Sequence, residues 1–108
     1  MAYMTLETFI LGNINDKENL LLELADIGDD DFIGNNGEDY TWDDALDAGF
    51  DSTQEYVLSL LEKSDLRGEA LVSKYLSYWL ENDSYYTGYE HEFTYVGDVC
   101  VLSLVTLH

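Results

Sequence analysis

The sequence contains no proline, a single cysteine and only four lysine or arginine residues among its 108. The lone Cys100 excludes a disulfide within the chain and fits a reducing compartment. The first seven residues lack the basic segment that begins a signal peptide. The longest apolar run, residues 99–102, is far too short to cross a bilayer. These absences predict a soluble, cytoplasmic protein without a membrane partner.

The shortage of basic residues leaves the chain strongly acidic. Twenty-three Asp and Glu residues against four Lys and Arg residues give a net charge of −19 at pH 7. Such a charge repels nucleic-acid phosphates and anionic membranes, and it attracts basic proteins. The composition therefore argues against direct binding to DNA or RNA and favours a basic protein as the partner.

The acids concentrate in one part of the chain. Residues 18–62 hold 14 of the 23 acids and no Lys, Arg or His. Aromatic and apolar residues such as Trp42 and Phe50 interrupt this stretch at intervals that a packed domain can use, which a disordered acidic tail does not show. Self-repulsion on a folded surface costs stability, so we look for a function that needs the charge. The candidate partner-binding acids are Asp26, Asp29, Asp30, Asp31, Glu38, Asp39, Asp43, Asp44, Asp47 and Asp51.

Two helices are predicted around an acidic loop. Asn15 is a suitable N-cap, and Glu18 three residues later completes a capping box, which predicts a helix over residues 16–27. Residues 28–40 have the Gly and Asn content of a loop. Thr41 is the predicted N-cap of a short helix that stops at Gly49.

Two longer helices follow. Ser52 and Glu55 form a second capping box, and Asp65 is a candidate cap for the longest helix, over residues 66–82. The apolar residues of this last helix recur at the spacing of one buried face. They are Leu71, Val72, Tyr75, Leu76, Trp79 and Leu80.

A β-hairpin is predicted at the C-terminal end, where apolar residues recur every second position. Gly97 and Asp98 supply a two-residue turn between strands over residues 89–96 and 99–107. The resulting register places three residue pairs on the core-facing side of the hairpin. They are Tyr95 with Cys100, Phe93 with Leu102, and His91 with Leu104. The return strand is apolar on both faces and therefore needs cover.

The fold class follows from these elements. A two-stranded hairpin is marginally stable alone, so a third strand is expected. Residues 3–11 are ambiguous between a strand and a short helix, and they are the best candidate for that strand. We predict an α+β fold over residues 1–108 as a single domain, with three or four helices packed on a small antiparallel sheet.

Metal and cofactor sites are not expected. A twelve-residue calcium loop starting at Asp29 would place Asp31 and Gly34 correctly. It would also place Ile33 and Tyr40 at positions where calcium-binding loops have oxygen ligands. Two ligands are missing, and the interpretation of a solvated acidic loop is better.

An enzyme is not expected either. A nucleophile needs a neighbouring base, and Cys100 and His91 lie two residue pairs apart in the predicted hairpin. A core thiol and a core histidine explain these residues better. The chain has no phosphate-cradling Gly-rich loop and no CxxC or HExxH motif.

Tyrosines crowd the last third of the chain. Core packing explains part of them, and amphipathic aromatic residues at a protein interface explain the others, with Tyr85 and Tyr86 as the best candidates. This pattern supports an alternative function, an acidic adaptor or immunity-type protein that binds one basic partner through a Tyr-rich face.

In size, charge and the acidic helical region from Asp16 to Glu62, the chain resembles the small acidic DNA mimics that phages use against restriction enzymes and CRISPR complexes. The resemblance implies an inhibitor that presents a phosphate-like surface to a nucleic-acid-binding protein in the host cytoplasm. An ordinary domain from a salt-adapted proteome is a third interpretation, but it predicts evenly spread acids. A dimer is compatible with each of these interpretations.

Overall fold

The computed structural model describes residues 4–28, 42–80 and 87–107, with the backbone alone at residues 42–44. These residues form an α+β fold, which confirms the predicted class. The elements in chain order are β1 (Met4–Gly12), α1 (Lys17–Leu24), α2 (Trp42–Asp47), α3 (Thr53–Lys63), α4 (Gly68–Leu80), β2 (Gly88–Val96) and β3 (Val99–Leu107). The longest principal extents are 41 and 39 Å, and the shortest is 20 Å, so the molecule is flat.

The sheet has three antiparallel strands in the order β1-β3-β2. The predicted hairpin register is confirmed, because Tyr95 pairs with Cys100, Phe93 with Leu102, and His91 with Leu104. The ambiguity of the first segment is settled in favour of a strand, since β1 pairs with β3 from Met4 to Gly12. The apolar β3 is therefore the central strand.

The two faces of the sheet have different surroundings. On one face Cys100, Leu102 and Leu104 are buried and belong to the same core cluster as residues of α1, α3 and α4. The predicted stripe of α4 is fully confirmed, because all six of its residues are buried. On the other face the side chains of Leu6 and Ile10 are exposed. The helices that contribute to the core thus pack on one side of the sheet.

Helix α1 begins at Lys17, one residue later than the predicted start at residue 16. The N-cap is Asp16 and not Asn15, because the side chain of Asp16 accepts a hydrogen bond from the backbone N–H of Asn19 at 3.2 Å. This shift also removes the predicted capping box, since Asn19 rather than Glu18 occupies the third helical position. The helix ends at Leu24, three residues before the predicted end.

The predicted start of α4 is also wrong. The helix begins at Gly68 and not at residue 66, and Asp65 does not lie next to it as a cap. Gly68 has a φ of +58°, which interrupts a helical path from residues 65–67. The side chain of Ser64 instead orders this connection, accepting from the backbone N–H of Leu66 at 3.3 Å.

The other helix boundaries follow their local sequence. Ser52 caps α3 as predicted, accepting from the Glu55 backbone N–H at 3.1 Å. After α2, the N–H of Gly49 donates to the carbonyl of Leu46, and the N–H of Phe50 donates to that of Ala45. This pair of bonds is a Schellman motif, and it uses a left-handed Gly49 with a φ of +88°. The predicted cap at Thr41, residues 29–40 of the predicted acidic loop and the predicted end of the last helix at residue 82 lie outside the described residues.

Candidate functional site

The acids form an exposed surface layer. The structure describes the side chains of 14 acids, and 13 of them are exposed, while Glu23 is half-buried. Of the predicted partner-binding residues, Asp26, Asp47 and Asp51 are among the exposed group. For Asp43 and Asp44 the structure gives the backbone position in α2 only. The remaining predicted residues lie outside the described ranges: Asp29, Asp30, Asp31, Glu38, Asp39, Tyr85 and Tyr86.

Two of the basic residues contact backbone carbonyls or an aromatic ring in addition to any contact with the acidic layer. Lys17 Nζ donates to the carbonyl oxygens of Ser64 at 2.6 Å and Glu62 at 3.0 Å, which satisfies the C-terminal end of α3. Lys74 Nζ lies 5.0 Å from the centroid of the Tyr78 ring, a cation–π distance. Even if all four bases were paired with acids, 19 negative charges would remain.

Added salt should therefore stabilise the protein. Repulsion between exposed carboxylates acts through water and is screened within about 10 Å at 0.1 M salt. We expect potassium chloride to raise the melting temperature by several degrees between about 0.02 and 0.5 M, since about 1 kcal/mol corresponds to about 4 °C or more in a domain of this size. The Glu55→Gln, Glu62→Gln double variant should respond less. A melting temperature that does not change with chloride salt would show that the acids do not repel each other appreciably.

A buried polar network holds the end of α1, where the acidic segment begins. Gln54 Nε2 donates to the carbonyl oxygens of Ile27 at 2.9 Å and Ala25 at 3.2 Å, and to the hydroxyl oxygen of Tyr75 at 2.9 Å. The Tyr75 hydroxyl in turn donates to the Ile27 carbonyl. These bonds satisfy carbonyls that the helix end leaves without an intrahelical partner. Burial raises the pKa of Tyr75 to about 12, against a smaller opposing effect of the bond from Gln54.

Gly28 completes this network. Its φ is +96°, and a Cβ at this position would lie 3.3 Å from the Tyr75 hydroxyl oxygen and 3.4 Å from a ring carbon of Trp79. Both features require glycine, because other residues rarely adopt this φ and their side chain would crowd the aromatic rings. The network thus fixes the point from which the chain continues into residues 29–41.

The tyrosines divide between core and surface. Tyr75 and Tyr78 are buried in α4, so core packing accounts for them. Tyr95 is 50% exposed, and its hydroxyl donates to the Glu69 carboxylate, which raises the pKa of the phenol above its usual range. Tyr89 is half-buried on the helix-facing side of β2. A continuous Tyr-rich surface is not formed by the tyrosines that the structure describes.

Cys100 lies in the core and His91 lies beside a serine hydroxyl of α4. Cys100 is buried, and this burial raises the pKa of its thiol, which keeps it in the less nucleophilic protonated form. His91 Nε2 lies 3.1 Å from Ser73 Oγ, within hydrogen-bond distance. Among the described residues, no group of three or more His, Cys, Asp or Glu side chains could hold a metal ion.

An open groove lies between α1 and α3. It has a volume of about 680 Å³ and an apolar centre formed by Leu21, Leu22 and Leu58, with Glu18 and Glu62 at its border. Leu22 is 66% exposed there. Over the part of the chain that the structure describes, no helix combines the length and apolar character needed to span a membrane.

Comparisons with protein-family models, with curated proteins and with solved structures find no match to this chain. The site must therefore be interpreted from its own chemistry. Sequence reasoning identified the acidic layer, but it did not identify Gln54 as a buried residue, and it did not predict that the described helices leave the second face of the sheet uncovered. For the sheet, the signal was present in the apolar residues on both faces of β3.

Proposed function

We propose that this protein inhibits a nucleic-acid-binding protein by presenting a folded acidic surface in place of nucleic-acid phosphates. The observation that supports the proposal is the exposure of 13 of the 14 described acidic side chains on a chain with four bases. A fixed layer of carboxylates differs from an acidic tail because its spacing is set by the fold, so it can match a basic groove built for a polymer of regular charge.

The number of charges is of the right order. The longest extent of the molecule is 41 Å. A DNA duplex of that length carries about 24 phosphates at one charge per 1.7 Å. The chain has 23 acids and a net charge of −19. Its summed field would steer it toward the same groove that attracts the nucleic acid.

The resemblance to phage DNA mimics makes restriction enzymes, CRISPR effectors and nucleases of a host cytoplasm the proposed targets. The alternative of a basic partner bound through a Tyr-rich face depends on Tyr85 and Tyr86, which lie outside the described residues. The two mechanisms differ in one measurable respect: a phosphate mimic and a nucleic acid compete for the same surface of the target.

Capture followed by release with DNA tests this proposal. The immobilised protein should retain nucleic-acid-binding proteins from a nuclease-treated bacterial lysate at about 0.2 M salt, where weak ionic contacts are lost. Excess duplex DNA or structured RNA should then release them, because both ligands occupy one site. The matched control is Leu76→Asp, which places a charge in the core and unfolds the chain while keeping every acid. Retained proteins that stay bound in excess nucleic acid, or equal capture by the unfolded control, would contradict the proposal.

A further inference from the structure

The sheet face turned away from the helices carries apolar side chains on β1 and β3, whereas β2 contributes two acids and, at its end, the 70% exposed Val96. On β1, Met4, Leu6 and Ile10 are 70%, 68% and 69% exposed. The central strand contributes Val99, Val101, Val105 and Leu107 to the same face. On β2, Glu90 and Glu92 are exposed opposite Val105 and Ser103. We call this surface the open sheet face.

The apolar part of the open sheet face is continuous. Cross-strand pairs join Leu6 to Val105 and Ile10 to Val101, so the β1 and β3 side chains contact along the strands. Strands of nine residues span about 30 Å, and two neighbouring strands are about 10 Å wide, so the apolar strip of β1 and β3 covers roughly 300 Å². Scattered exposed apolar residues need no explanation, but continuous patches of this size are commonly binding surfaces.

A second copy of the chain does not complement this surface. The open sheet face has two acids and no basic residue, so pairing two copies face to face would put Glu90 and Glu92 against the same acids or against apolar side chains. Desolvating a carboxylate without a partner is costly.

We propose that the open sheet face binds an amphipathic α-helix of another protein, with an apolar stripe over β1 and β3 and Lys or Arg residues along the flank above β2. The charges determine this choice, because Glu90 and Glu92 both lie on one side of the apolar strip. A helix about 10 Å across fits the width of the sheet, and about 20 residues of helix match the length of its strands.

The shape of the open sheet face also fits an amphipathic helix. A shallow groove of about 190 Å³ lies over the central strand, between Leu6 on one side and Glu90 and Glu92 on the other. Ser103, Val105 and His91 also line the groove. Apolar side chains of a helix can enter such a groove while its basic flank meets the two carboxylates. This inference does not depend on phosphate mimicry, since the helical acids lie on the other side of the sheet.

Binding of designed peptides tests the inference. The probe is a fluorescent helical peptide of about 20 residues with leucines at positions i, i+3, i+4 and i+7 and lysines on one flank. A second peptide carries glutamine in place of the lysines, and a third has a scrambled order. Fluorescence anisotropy should show binding of the lysine peptide to the native protein, weaker binding of the glutamine peptide, and none of the scrambled one.

Paired substitutions locate the bound peptide. Leu6→Thr with Ile10→Thr should weaken binding at least about tenfold, because apolar anchors are lost while threonine keeps the strand preference. Glu90→Gln with Glu92→Gln should weaken the lysine peptide about fivefold and leave the glutamine peptide unchanged. The matched charge control is Glu55→Gln with Glu62→Gln in α3, and both acids are exposed. Circular dichroism and the melting temperature verify that each variant is folded.

Four results would overturn the inference. One is the absence of lysine-peptide binding at about 100 µM, which is weaker than specific protein recognition requires. Another is an equal loss in the α3 control, which would show attraction by the overall charge only. A third is a loss with Leu22→Gln and none with the Leu6 and Ile10 changes, which would place the helix in the groove between α1 and α3. The last is a change from dimer to monomer in the Leu6 and Ile10 variant by sedimentation, which would make the face a contact between copies.

Discussion

Raising the pH from about 10 to about 12 should cost the native protein about 2 kcal/mol of unfolding free energy, and Tyr75→Phe should remove most of this loss. Tyr75 has a pKa of about 12 in the folded protein, above its ordinary value of 10.0. A raised folded-state pKa means that the stabilising contribution is complete below pH 10 and is lost as the pH rises through 12. Phenylalanine cannot ionise, so the unfolding free energy of the variant lacks this dependence on pH.

The pKa of Tyr75 is raised because its hydroxyl is buried. Tyr75 is fully buried, so its phenolate would lose the hydration that stabilises it in the unfolded chain. Ionisation would also remove the proton that the hydroxyl donates to the Ile27 carbonyl. At pH 8 the Tyr75→Phe variant should already be less stable by about 1 to 2 kcal/mol, because the bonds to Gln54 and Ile27 are lost.

Urea unfolding at a series of pH values measures this effect. The comparison is the slope of unfolding free energy against pH in the native protein and in Tyr75→Phe. The control is Tyr78→Phe, which has the same number of phenols and also changes a buried residue of α4. Equal slopes in the native protein and Tyr75→Phe, or the same loss of slope in both variants, would show that Tyr75 does not carry the alkaline sensitivity.

The hairpin was predictable because its information is local. Alternation of apolar residues fixes which side of a strand faces the core, and the Gly97-Asp98 turn fixes the register. One choice of turn therefore determines all the pairs from Val96↔Val99 to Gly88↔Leu107. The third strand followed from a general argument, since two strands alone are marginal. Which edge β1 would join was not predicted from the pattern.

Helix starts were less predictable because several residues near each start can cap it. Asn13, Asn15 and Asp16 all have suitable side chains. The structure uses Asn13 to accept from the backbone N–H of Asn15 at 3.0 Å and Asp16 to cap α1. Near α4, Asp65 has the right chemistry, but the left-handed Gly68 moves the start. A choice among neighbouring caps depends on the path of the chain before the helix, which a local pattern does not contain.

Gln54 shows a limit of a different kind. It lies in the first turn of α3, where a polar residue is ordinarily solvated, yet it is 5% exposed. Its partners Ala25 and Ile27 lie at the end of another helix, and Tyr75 lies in a third. Such a residue is buried because distant carbonyls need donors, which follows from the tertiary arrangement alone. The position of the acidic segment was therefore not predictable from the sequence either, because this network holds the residues from which the segment starts.

The central strand β3 is apolar on both faces, but the described helices cover only one of them. Apolar residues on both faces of β3 predicted cover on both faces. In the structure, the helices cover one face, while β1 and β2 only extend the sheet sideways. Met4, Leu6 and Ile10 add to the uncovered side. The excess of apolar residues on the open sheet face is what leads us to expect a partner there.

Neutralising four exposed acids of the helical layer should weaken binding to a DNA-releasable target about 100-fold. The variant combines Asp26→Asn, Asp47→Asn, Asp51→Asn and Glu55→Gln, each of which replaces an exposed carboxylate. A groove that binds many phosphates shares its binding energy among them, so each single change should cost only about threefold, and four together should cost far more. Most of the loss should be in the association rate, because steering depends on the summed field.

A second quadruple variant separates position from net charge. Glu7→Gln, Asp65→Asn, Glu90→Gln and Asp98→Asn also remove four exposed acids, and they lie outside residues 16–62. Surface plasmon resonance at several salt concentrations gives the rates and the salt dependence for both variants. The first variant should lose more affinity, and its salt dependence should be shallower by up to about 4 in the slope of log K against log salt concentration.

The same measurement distinguishes the adaptor mechanism from the mimic. An adaptor that binds through aromatic residues should tolerate the first quadruple variant and should lose at least about tenfold in affinity on Tyr85→Ala or Tyr86→Ala alone, as expected for an interface hot spot. Equal losses in the two quadruple variants would indicate attraction by total charge without a defined surface. Either of these results would contradict phosphate mimicry by residues 26–55, because that mechanism requires many weak contacts placed in one region of the fold.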